Sequence, residues 1–379
     1  MSLRPDPVPI TVAALVEGLA VGPTDLVVTG LTHDSAEVRP GDAFVALPGR
    51  TTHGARFARA AVEAGAVVIV TDAAGAERCP ALGGPVLVVA EPRRHLGRLA
   101  ARAFGEPAGD LQMLAVTGTN GKTTVAAMVE SGLQAAGVAC GVIGTTGVRI
   151  AGASHPVART TPEASDLHAI LGHMRAAGVR VVVMEVSSIA VTEHRTDEIV
   201  FDVAAFTNLT QDHLDYHGSM DDYFAAKAAL FTPAHARRGI VGIDDEWGRR
   251  LRAIAGIPVA TWSLVDQRAD WHVRRTAGMS VVGPNGQCQP LAVGLPGAFN
   301  VANAVVAFAI LVTAGIDQEA AAKGIAAARV AGRMQVVAGR DVDEDILAVV
   351  DYAHSPDAVE RVLRAARGLR AGRVIVVVG

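Results

Sequence analysis

The residues best suited to chemistry form one contiguous segment, residues 111–124, with the sequence LQMLAVTGTNGKTT. Its apolar part, residues 113–116, predicts a buried strand that leads directly into a glycine turn and then a helix. Glycines let such a turn close tightly and present backbone N–H groups to phosphate oxygens, and the helix N-terminus adds partial positive charge. Lys122 can reach the β- and γ-phosphates of a nucleotide, and the Thr123 hydroxyl can bind Mg²⁺. The segment therefore predicts a site for a nucleoside triphosphate.

This loop is shorter than the usual phosphate loop, which has four residues between its glycines. A chance Gly-Lys-Thr is common, so the alternative interpretation is an ordinary strand–turn–helix corner. The helix that follows favours the nucleotide site, because its apolar residues fall on one face, namely Val125, Met128, Val129 and Leu133. The candidates for contact with ATP are Gly118, Thr119, Asn120, Gly121, Lys122, Thr123 and Thr124.

Composition excludes several classes of protein. With 379 residues and 50% hydrophobic content, the chain is long enough for two or three domains with large cores. The net charge is −4, and acidic and basic residues are interspersed along the chain, without the basic stripe of a nucleic-acid binder. We identify no signal peptide and no apolar run of membrane-spanning length. The scattered cysteines Cys79, Cys140 and Cys288 follow no metal spacing and indicate reduced thiols, so we expect a cytoplasmic protein without nucleic-acid or membrane partners.

Short apolar strands alternate with helical segments, which predicts an α/β protein with a mostly parallel sheet covered on both faces. Three blocks are expected, at residues 1–109, 110–337 and 338–379. In the first block the predicted strands are residues 26–28, 43–46, 66–70 and 85–89, and the predicted helices are residues 55–64 and 93–104. In the second block the predicted strands are residues 113–116, 140–143, 179–186 and 201–206. They are followed by a more irregular stretch, roughly residues 239–297, which is predicted to consist of short strands and turns.

The third block is too small to form an independent domain. It predicts a strand at residues 345–350, a helix at 356–367 and a strand at 374–378. We therefore expect the beginning of a nucleotide-fold-like domain whose remainder lies beyond Gly379, in either a fragment or a naturally truncated protein.

Several polar residues follow predicted strands, at the sheet edge where ligands of α/β proteins bind. Glu185 ends a strongly apolar strand, and we favour Mg²⁺ ligation over a buried salt bridge for it, because an unpaired buried carboxylate is costly. His213 belongs to a crowded turn of His, Asp and Asn, which suits a metal or phosphate but also ordinary caps and turns. The absence of zinc-hydrolase spacing makes zinc the less favoured metal.

Other candidates have ordinary structural interpretations. Spacing alone places Lys227 on the solvated face of an Ala-rich helix. For Asn300 helix capping is favoured over binding, whereas Asn303 could point at a ligand. Asp351 precedes a Pro-initiated helix, where contact with ribose or metal and simple N-capping by Ser355 both remain open.

Together these segments resemble the Mur ligase family, ATP-dependent enzymes that join amino acids to carboxylates, and especially its members that act on UDP-N-acetylmuramoyl-L-Ala-D-Glu. The resemblance extends in order over almost the whole chain, and its most specific segments are TGTNGKTT at residues 117–124 and NLTQDHLDYH at residues 208–217. It implies a small N-terminal UDP-binding α/β domain, a central phosphate-loop ATPase domain and the start of a Rossmann-like C-terminal ligase domain.

The resemblance also implies roles for individual residues. The residues near uridine or pyrophosphate would be Ser35, Thr51, Thr52, His53 and Gly54. The contacts to the muramoyl-peptide would be Thr160, Thr161, Ser187, Ser188 and Arg195. ATP would meet Asn300 and Asn303 on its adenine side and Arg333 and Asp351 at its phosphate and ribose. The metal ligands would be Thr123, Glu185, His213 and Lys227, with Lys227 carbamylated; the catalytic residues would be Lys122, Lys227, His213 and Arg333.

The implied reaction adds diaminopimelate or lysine to the UDP-N-acetylmuramoyl-dipeptide through an acyl phosphate, with ATP and Mg²⁺, in peptidoglycan precursor synthesis. Two positions depart from the family pattern: Ile189 stands where His is usual, and Gln335 stands where Glu is usual. Two alternatives stay open. One is a related ligase that acts on another carboxylate, and the other is a non-catalytic nucleotide-binding protein.

Overall fold

A computed structural model describes residues 3–49, 51–79, 84–276, 278–337, 346–369 and 372–378. The chain divides into two compact units. The N-terminal unit comprises Met1–Gln112, Thr161–Arg180 and Ile189–Ile199. The central unit comprises Met113–Thr160, Val181–Ser188 and Val200–Gly379.

The N-terminal unit is built on a parallel sheet. The strands of this part of the chain are β1 Ile10–Thr11, β2 Val27–Val28, β3 Gly30–Thr32, β4 Asp42–Val45, β5 Val68–Thr71 and β6 Val86–Val88. Its helices are α1 Val12–Leu15, α2 Ala58–Glu63, α3 Ala73–Ala76 and α4 Pro92–Ala103. Strands β3 to β6 pair in parallel in that order, and β1 pairs with β2 in an antiparallel ribbon. The four strands predicted for this block are confirmed as β2, β4, β5 and β6, whereas the three-residue strand β3 was not predicted.

The central unit contains a large mixed sheet. Its strands are β7 Gln112–Thr117, β8 Cys140–Gly144, β9 Gly147–Ile150, β10 Ala153–His155, β11 Val181–Glu185, β12 Val203–Phe206, β13 Gly239–Gly242, β14 Val259–Ser263, β15 Trp271–Arg274, β16 Ser280–Val282 and β17 Cys288–Pro290. Within the described residues the order is β10-β9-β8-β11-β7-β12-β13-β14-β15-β16-β17. The pairs β8–β11, β7–β12, β12–β13, β13–β14 and β14–β15 are parallel, and antiparallel strands extend both ends. The predicted α/β fold with a mostly parallel central sheet is confirmed.

The helices after β7 are α5 Lys122–Ala135, α6 Ala164–Ala176, α7 Ser188–Thr192, α8 Leu214–His217, α9 Met220–Ala228, α10 Glu246–Ile254, α11 Ala298–Thr313, α12 Gln318–Ala327 and α13 Pro356–Leu369. Helix α6 belongs to the N-terminal unit. The apolar face predicted for α5 is confirmed, because Val125, Met128, Val129 and Leu133 are all fully buried. They lie in one core cluster with α11 and α12, so this face fixes the helix that carries Lys122 and Thr123.

The short strands predicted for residues 239–297 are confirmed as β13 to β17, which extend the main sheet, whereas helix α10 in this stretch was not predicted. Strand β18 Gln335–Val337, at the end of the second block, pairs with β19 Ala348–Val350 of the third block, and α13 follows. The strand predicted at residues 374–378 is wrong, since residues 373–378 have no regular structure; residue 379 and part of the predicted strand 345–350 lie outside the described residues.

His168 gives the N-terminal unit a pH dependence. This side chain on α6 is fully buried, and its Nε2 lies 3.2 Å from the carbonyl oxygen of Asp197, to which it donates. Burial lowers the pKa of His168 from 6.5 to about 4, although the Asp197 bond and the charge of Glu198 oppose that shift.

We therefore expect the free energy of unfolding to fall by roughly 3 kcal/mol as pH drops from 6.5 to 4, because the unfolded chain binds a proton that the folded chain excludes. Below about pH 4, the pKa of His168 in the folded chain, this stabilisation is completely lost. Above pH 6.5, the pKa in the unfolded chain, it is fully present. Urea unfolding at pH 7 and pH 5 measures the effect. In the His168→Gln variant the free energies of unfolding at pH 7 and pH 5 should differ less than in the unmodified protein. An unchanged difference would contradict the role of His168 in this pH dependence.

Candidate active site

The phosphate loop connects β7 to α5, and two glycines give it its shape. Gly118 has φ +140° and Gly121 has φ +91°, which are backbone conformations that other residues rarely adopt. A Cβ on Gly118 would lie 2.0 Å from Thr207 Oγ1, and one on Gly121 would lie 2.4 Å from Asn303 Oδ1. The sequence LAVTGTNGKTT therefore closes a turn that only glycine permits at these two points.

Replacing Gly118 with alanine should weaken nucleotide binding by about a hundredfold or more, because the added methyl group must displace the loop from Thr207. Fluorescence titration with an ATP analogue measures the affinity. The matched control is Gly109→Ala, where a Cβ would meet nothing within 4 Å. Equal affinities for the two variants would contradict the proposed importance of the loop conformation.

The segment after β12 holds the loop in place. The Asn120 N–H donates to Asn208 Oδ1 at 3.1 Å, and Thr207 Oγ1 donates to the Asn120 carbonyl at 2.6 Å. Thr119 Oγ1 donates to the Thr210 carbonyl at 3.1 Å and accepts from the Thr210 N–H at 3.0 Å. This supporting role of residues 207–210 was not predicted from the sequence. The available signal was their position directly after β12, the parallel neighbour of β7.

Two lysines converge on one loop carbonyl. Lys122 Nζ donates to the carbonyl oxygens of Gly118 at 3.0 Å and Thr119 at 2.9 Å. Lys227 Nζ donates to the same Gly118 oxygen at 2.9 Å. Desolvation lowers the pKa of Lys122, against the opposing charge of Glu185. Burial lowers the pKa of Lys227 well below its ordinary value, and the positive charge of Lys122 lowers it further.

The solvated position that spacing suggested for Lys227 is wrong. Its residue is 1% exposed, and its Nζ lies 4.6 Å from the ring centroid of Tyr223, one turn earlier on α9. The Tyr223 hydroxyl lies 3.1 Å from Thr119 Oγ1. Helix α9 therefore places the Lys227 amine directly behind the phosphate loop.

Glu185, at the end of β11, is 1% exposed and faces the start of α5. Its Oε2 accepts from Thr123 Oγ1 at 2.9 Å and from Thr145 Oγ1 at 3.1 Å, and its Oε1 accepts from the Thr145 N–H at 2.9 Å. The predicted neighbours Thr123 and Glu185 are thus brought together. A carboxylate beside a hydroxyl at the loop is a set of hard oxygen donors of the type that Mg²⁺ prefers.

His213 lies in the segment that follows β12, and its backbone has φ +51°. Its ring centroid lies 6.1 Å from that of Tyr223. Burial lowers the pKa of His213, and the positive charges of Lys122 and Lys227 lower it further, whereas the negative charge of Asp212 opposes that shift. Across the described ranges, no group of three or more His, Cys, Asp and Glu side chains is arranged to hold a metal.

Two side chains from the C-terminal part of the described chain, Arg333 and Asp357, reach residues at the loop. Arg333 donates from a terminal nitrogen to Thr123 Oγ1 at 3.3 Å and stacks on Tyr352, with its guanidinium carbon 5.0 Å from the ring centroid. Asn120 Nδ2 donates to Asp357 Oδ2 at 3.3 Å, a contact that was not predicted from the sequence. Asp351 accepts the N–H groups of Met334 at 2.7 Å and Ala353 at 2.8 Å.

Both capping hypotheses are wrong. Helix α11 has Gly297 as its N-cap, and the Asn300 side chain donates to the Pro296 carbonyl at 2.7 Å. Asn303 Nδ2 donates to Asn300 Oδ1 at 2.9 Å, which leaves Asn303 Oδ1 facing Gly121 of the loop. Ser355 Oγ is buried and makes no hydrogen bond within the part of the chain that the structure describes, so it does not cap α13.

The residues predicted for uridine or pyrophosphate share one loop of the N-terminal unit, apart from Ser35, which begins a short 3₁₀ turn. Thr51 and Thr52 are exposed, whereas His53 is buried. His53 Nδ1 accepts the Ala55 N–H at 3.0 Å, and its Nε2 donates to Asp72 at 3.0 Å. Both ring nitrogens of His53 therefore make hydrogen bonds within the N-terminal unit.

The residues predicted for the muramoyl-peptide fall in both units. In the central unit Thr160 Oγ1 lies 3.1 Å from Thr145 Oγ1. Ser188, the first residue of α7, has its Oγ 2.9 Å from His217 Nε2, and Ser187 directly precedes this helix. In the N-terminal unit Arg195 donates to the Thr161 carbonyl at 3.4 Å.

The two departures from the family pattern have ordinary local environments. Ile189 is half-buried, and its carbonyl accepts the Glu193 N–H at 2.8 Å. Gln335 Oε1 accepts the Gly332 N–H at 2.8 Å and so stabilises the turn that carries Arg333. Among the described helices, none has the length and apolar character needed to cross a membrane.

Comparison with known families gives three matches in chain order. The family described as "Mur ligase family, catalytic domain" matches residues 27–104. "Mur ligase middle domain" matches residues 116–311, and "Mur ligase, glutamate ligase domain" matches residues 332–379.

Curated relatives match along nearly the whole chain. A protein of Streptomyces avermitilis named UDP-N-acetylmuramoyl-L-alanyl-D-glutamate–2,6-diaminopimelate ligase is 47% identical, over 96% of this chain and 72% of the relative. A Corynebacterium glutamicum protein of the same name is 46% identical, over 95% of this chain and 71% of the relative.

Solved structures show the same architecture. One titled as the structure of UDP-N-acetylmuramoyl-L-alanyl-D-glutamate–2,6-diaminopimelate ligase has a TM-score of 0.77 and 27% identity, and covers 95% of this chain and 74% of its own. The MurF ligase of Thermotoga maritima in complex with ADP has a TM-score of 0.62, covers 89% of this chain and 74% of its own, and at 20% identity supports the fold alone.

Proposed function

This chain belongs to the Mur ligase family, and we propose that it joins 2,6-diaminopimelate to UDP-N-acetylmuramoyl-L-alanyl-D-glutamate in a reaction driven by ATP. The names of the relatives with 46% and 47% identity support this substrate pair and favour diaminopimelate over lysine. The observation that carries the proposal is the preformed phosphate loop, with Lys122, Thr123 and Glu185 gathered at its mouth.

In the proposed reaction an oxygen of the D-glutamyl carboxylate attacks the γ-phosphorus of ATP. The bond from that phosphorus to the bridging oxygen breaks, which gives an acyl phosphate and ADP. The amine nitrogen of diaminopimelate then attacks the acyl carbon, loses a proton and displaces phosphate, so that an amide bond forms. Lys122 and Arg333 supply positive charge for the transferring phosphoryl group, a contribution that dominates this class of reaction.

Mg²⁺ fits the oxygen donors at the loop. Thr123 and Glu185 would hold one ion, and Glu185, His213 and a carbamylated Lys227 would hold a second. When bound, the ions would neutralise charge on the phosphate oxygens. The 2.9 Å contact between the Thr123 hydroxyl and the buried Glu185 carboxylate supports the first site.

Carbamylation of Lys227 rests on the state of its amine. A neutral amine can add to CO₂, whereupon a nitrogen–carbon bond forms and a proton leaves to solvent. Burial and the neighbouring Lys122 both favour the neutral form. The product is an anion with oxygen donors, which suits a metal site, whereas an ammonium group would repel the metal.

The proposal assigns the UDP-substrate to the N-terminal block, residues 1–109, ATP to the block at residues 110–337, and the ligase domain to residues 338 onward. Contacts to the nucleoside diphosphate are assigned to Ser35 and residues 51–54, and contacts to the peptide to Thr160, Thr161, Ser187, Ser188 and Arg195. Adenine is assigned to Asn300 and Asn303, and ribose to Asp351. Synthesis of a peptidoglycan precursor from these substrates would take place in the cytoplasm.

Product analysis tests the proposal. The protein is incubated with ATP, Mg²⁺ and the UDP-dipeptide, with diaminopimelate or lysine supplied separately, and the products are resolved by mass spectrometry. We expect a UDP-tripeptide whose added mass is that of diaminopimelate. Product with lysine alone would overturn the amino-acid assignment, and no product with either amino acid would overturn the ligase assignment.

A further inference from the structure

A buried ion-pair cluster joins three segments of the N-terminal unit. Glu163, at the start of α6, is 4% exposed. Its Oε1 lies 3.1 Å from Arg195 Nε, and its Oε2 accepts from a terminal nitrogen of Arg93, on α4, at 3.2 Å. Glu193 lies 3.4 Å from the same Arg93 nitrogen. We refer to Glu163, Arg93 and Arg195 as the Glu163 clamp.

The clamp fixes the orientation of one guanidinium group. A buried carboxylate is stable only where charge and hydrogen bonds compensate it, and here each oxygen of Glu163 meets a different arginine. The Nε of Arg195 lies within ion-pair distance of Glu163, and one terminal nitrogen of the same guanidinium donates to the Thr161 carbonyl at 3.4 Å. Since a guanidinium is planar, contacts at two of its edges determine the plane and direction of the whole group.

A fixed guanidinium binds an anion with less loss of side-chain entropy than a mobile one. The side chain of Arg195 is 12% exposed and that of Glu163 is 5% exposed, so the carboxylate is the more deeply enclosed partner. The arrangement is that of a supporting acid behind a ligand-binding arginine. Arg93, whose side chain is 31% exposed, braces the opposite oxygen of the same acid.

We propose that Glu163 is a positioning residue that orients Arg195 for the anionic UDP-N-acetylmuramoyl-dipeptide, with Arg93 as its brace. This inference rests on the proposed function, in which Arg195 contacts that substrate. Glu163 acts through Arg195 and does not touch the substrate itself. A merely structural ion pair would tie α4, α6 and residues 189–199 together without affecting substrate affinity specifically.

A double-mutant cycle separates the two roles. Calorimetric titration gives the dissociation constants of the UDP-dipeptide and of ATP for the unmodified protein, Glu163→Gln, Arg195→Ala and the double variant. We expect Glu163→Gln to weaken UDP-dipeptide binding about tenfold and to leave ATP binding within about twofold. In the Arg195→Ala background the same change should have no further effect, because the group it orients is gone. The Glu163→Asp variant should recover part of the affinity.

Equal UDP-dipeptide affinity for the unmodified protein and Glu163→Gln would overturn the positioning role alone. Additive losses in the double variant would also overturn it, since Glu163 would then act independently of Arg195. Failure of the unmodified protein to bind the UDP-dipeptide would overturn the proposed function and this role together. If Glu163→Gln does not fold, the Arg93→Gln variant is measured in its place. A twofold to threefold loss of affinity for the UDP-dipeptide, with ATP affinity unchanged, supports the positioning role. An unchanged affinity for the UDP-dipeptide contradicts it.

Discussion

Replacing Lys122 with alanine is expected to lower ligation turnover by on the order of a thousandfold. The reason is electrostatic, because the lysine amine at the mouth of the loop supplies positive charge where the transferring phosphoryl group becomes more negative. Its Nζ donates to the carbonyl oxygens of Gly118 and Thr119, so loop backbone contacts fix the position of the amine. Coupled assay of ADP release, with both substrates present, measures the loss.

Lys323→Ala is the matched control for this variant. Lys323 is an exposed lysine on α12, so its removal changes the net charge equally without touching the loop. We expect this control to keep normal turnover. Turnover that survives Lys122→Ala would contradict the assignment of the loop as the phosphoryl-transfer site.

Removing the Lys227 amine has the second largest expected effect. Lys227→Ala should lower turnover by at least about a hundredfold, since it removes the group proposed to carry the carbamate ligand. A short carboxylate such as acetate, added to the Lys227→Ala protein, should restore part of the activity by supplying an oxygen anion in the vacated space. Steady-state rates measured across an acetate series test this expectation.

The unmodified protein provides an independent measurement of the same claim. Incubation with ¹³C-labelled bicarbonate should give a carbamate carbon signal by NMR that is absent in Lys227→Ala. Activity should also fall in buffer depleted of CO₂ and return when bicarbonate is added. Full activity in depleted buffer, with no carbamate signal, would show that Lys227 acts as an amine.

The phosphate loop could be predicted from the sequence because its determinants are local. Strand, glycine turn, lysine and helix are contiguous between residues 112 and 135, and the apolar face of α5 is a simple helical pattern. Glu185 was also predictable as a partner, since the carboxyl ends of neighbouring strands in such a sheet meet at one edge.

The position of Lys227 could not be predicted from its spacing, because its environment is tertiary. Its amine contacts the Gly118 carbonyl from 109 residues away along the chain, and an Ala-rich helix gives no sign of which face that contact will bury. The same limit applies to Glu163, whose partners Arg93 and Arg195 come from separate segments. Only the resemblance to the Mur ligase family drew attention to Lys227.

The wrong strand at residues 374–378 illustrates a different limit. The run Val-Ile-Val-Val-Val has strong strand propensity, yet a strand exists only where a neighbouring strand supplies hydrogen bonds. By contrast, Gly239–Gly242, in the stretch predicted as short strands and turns, pairs with both β12 and β14 as a buried parallel strand. Pairing partners, which local propensity does not reveal, decided both outcomes.

The most direct test of the central claim is the fate of the substrate carboxylate oxygens. The UDP-dipeptide is prepared with ¹⁸O in the D-glutamyl carboxylate and is incubated with the protein, ATP, Mg²⁺ and diaminopimelate. An acyl-phosphate route transfers one ¹⁸O atom to each phosphate released, and mass spectrometry of the phosphate detects it. We predict one labelled oxygen per phosphate, in proportion to the UDP-tripeptide formed. Unlabelled phosphate from a reaction that consumes ATP would contradict the proposed ligase mechanism.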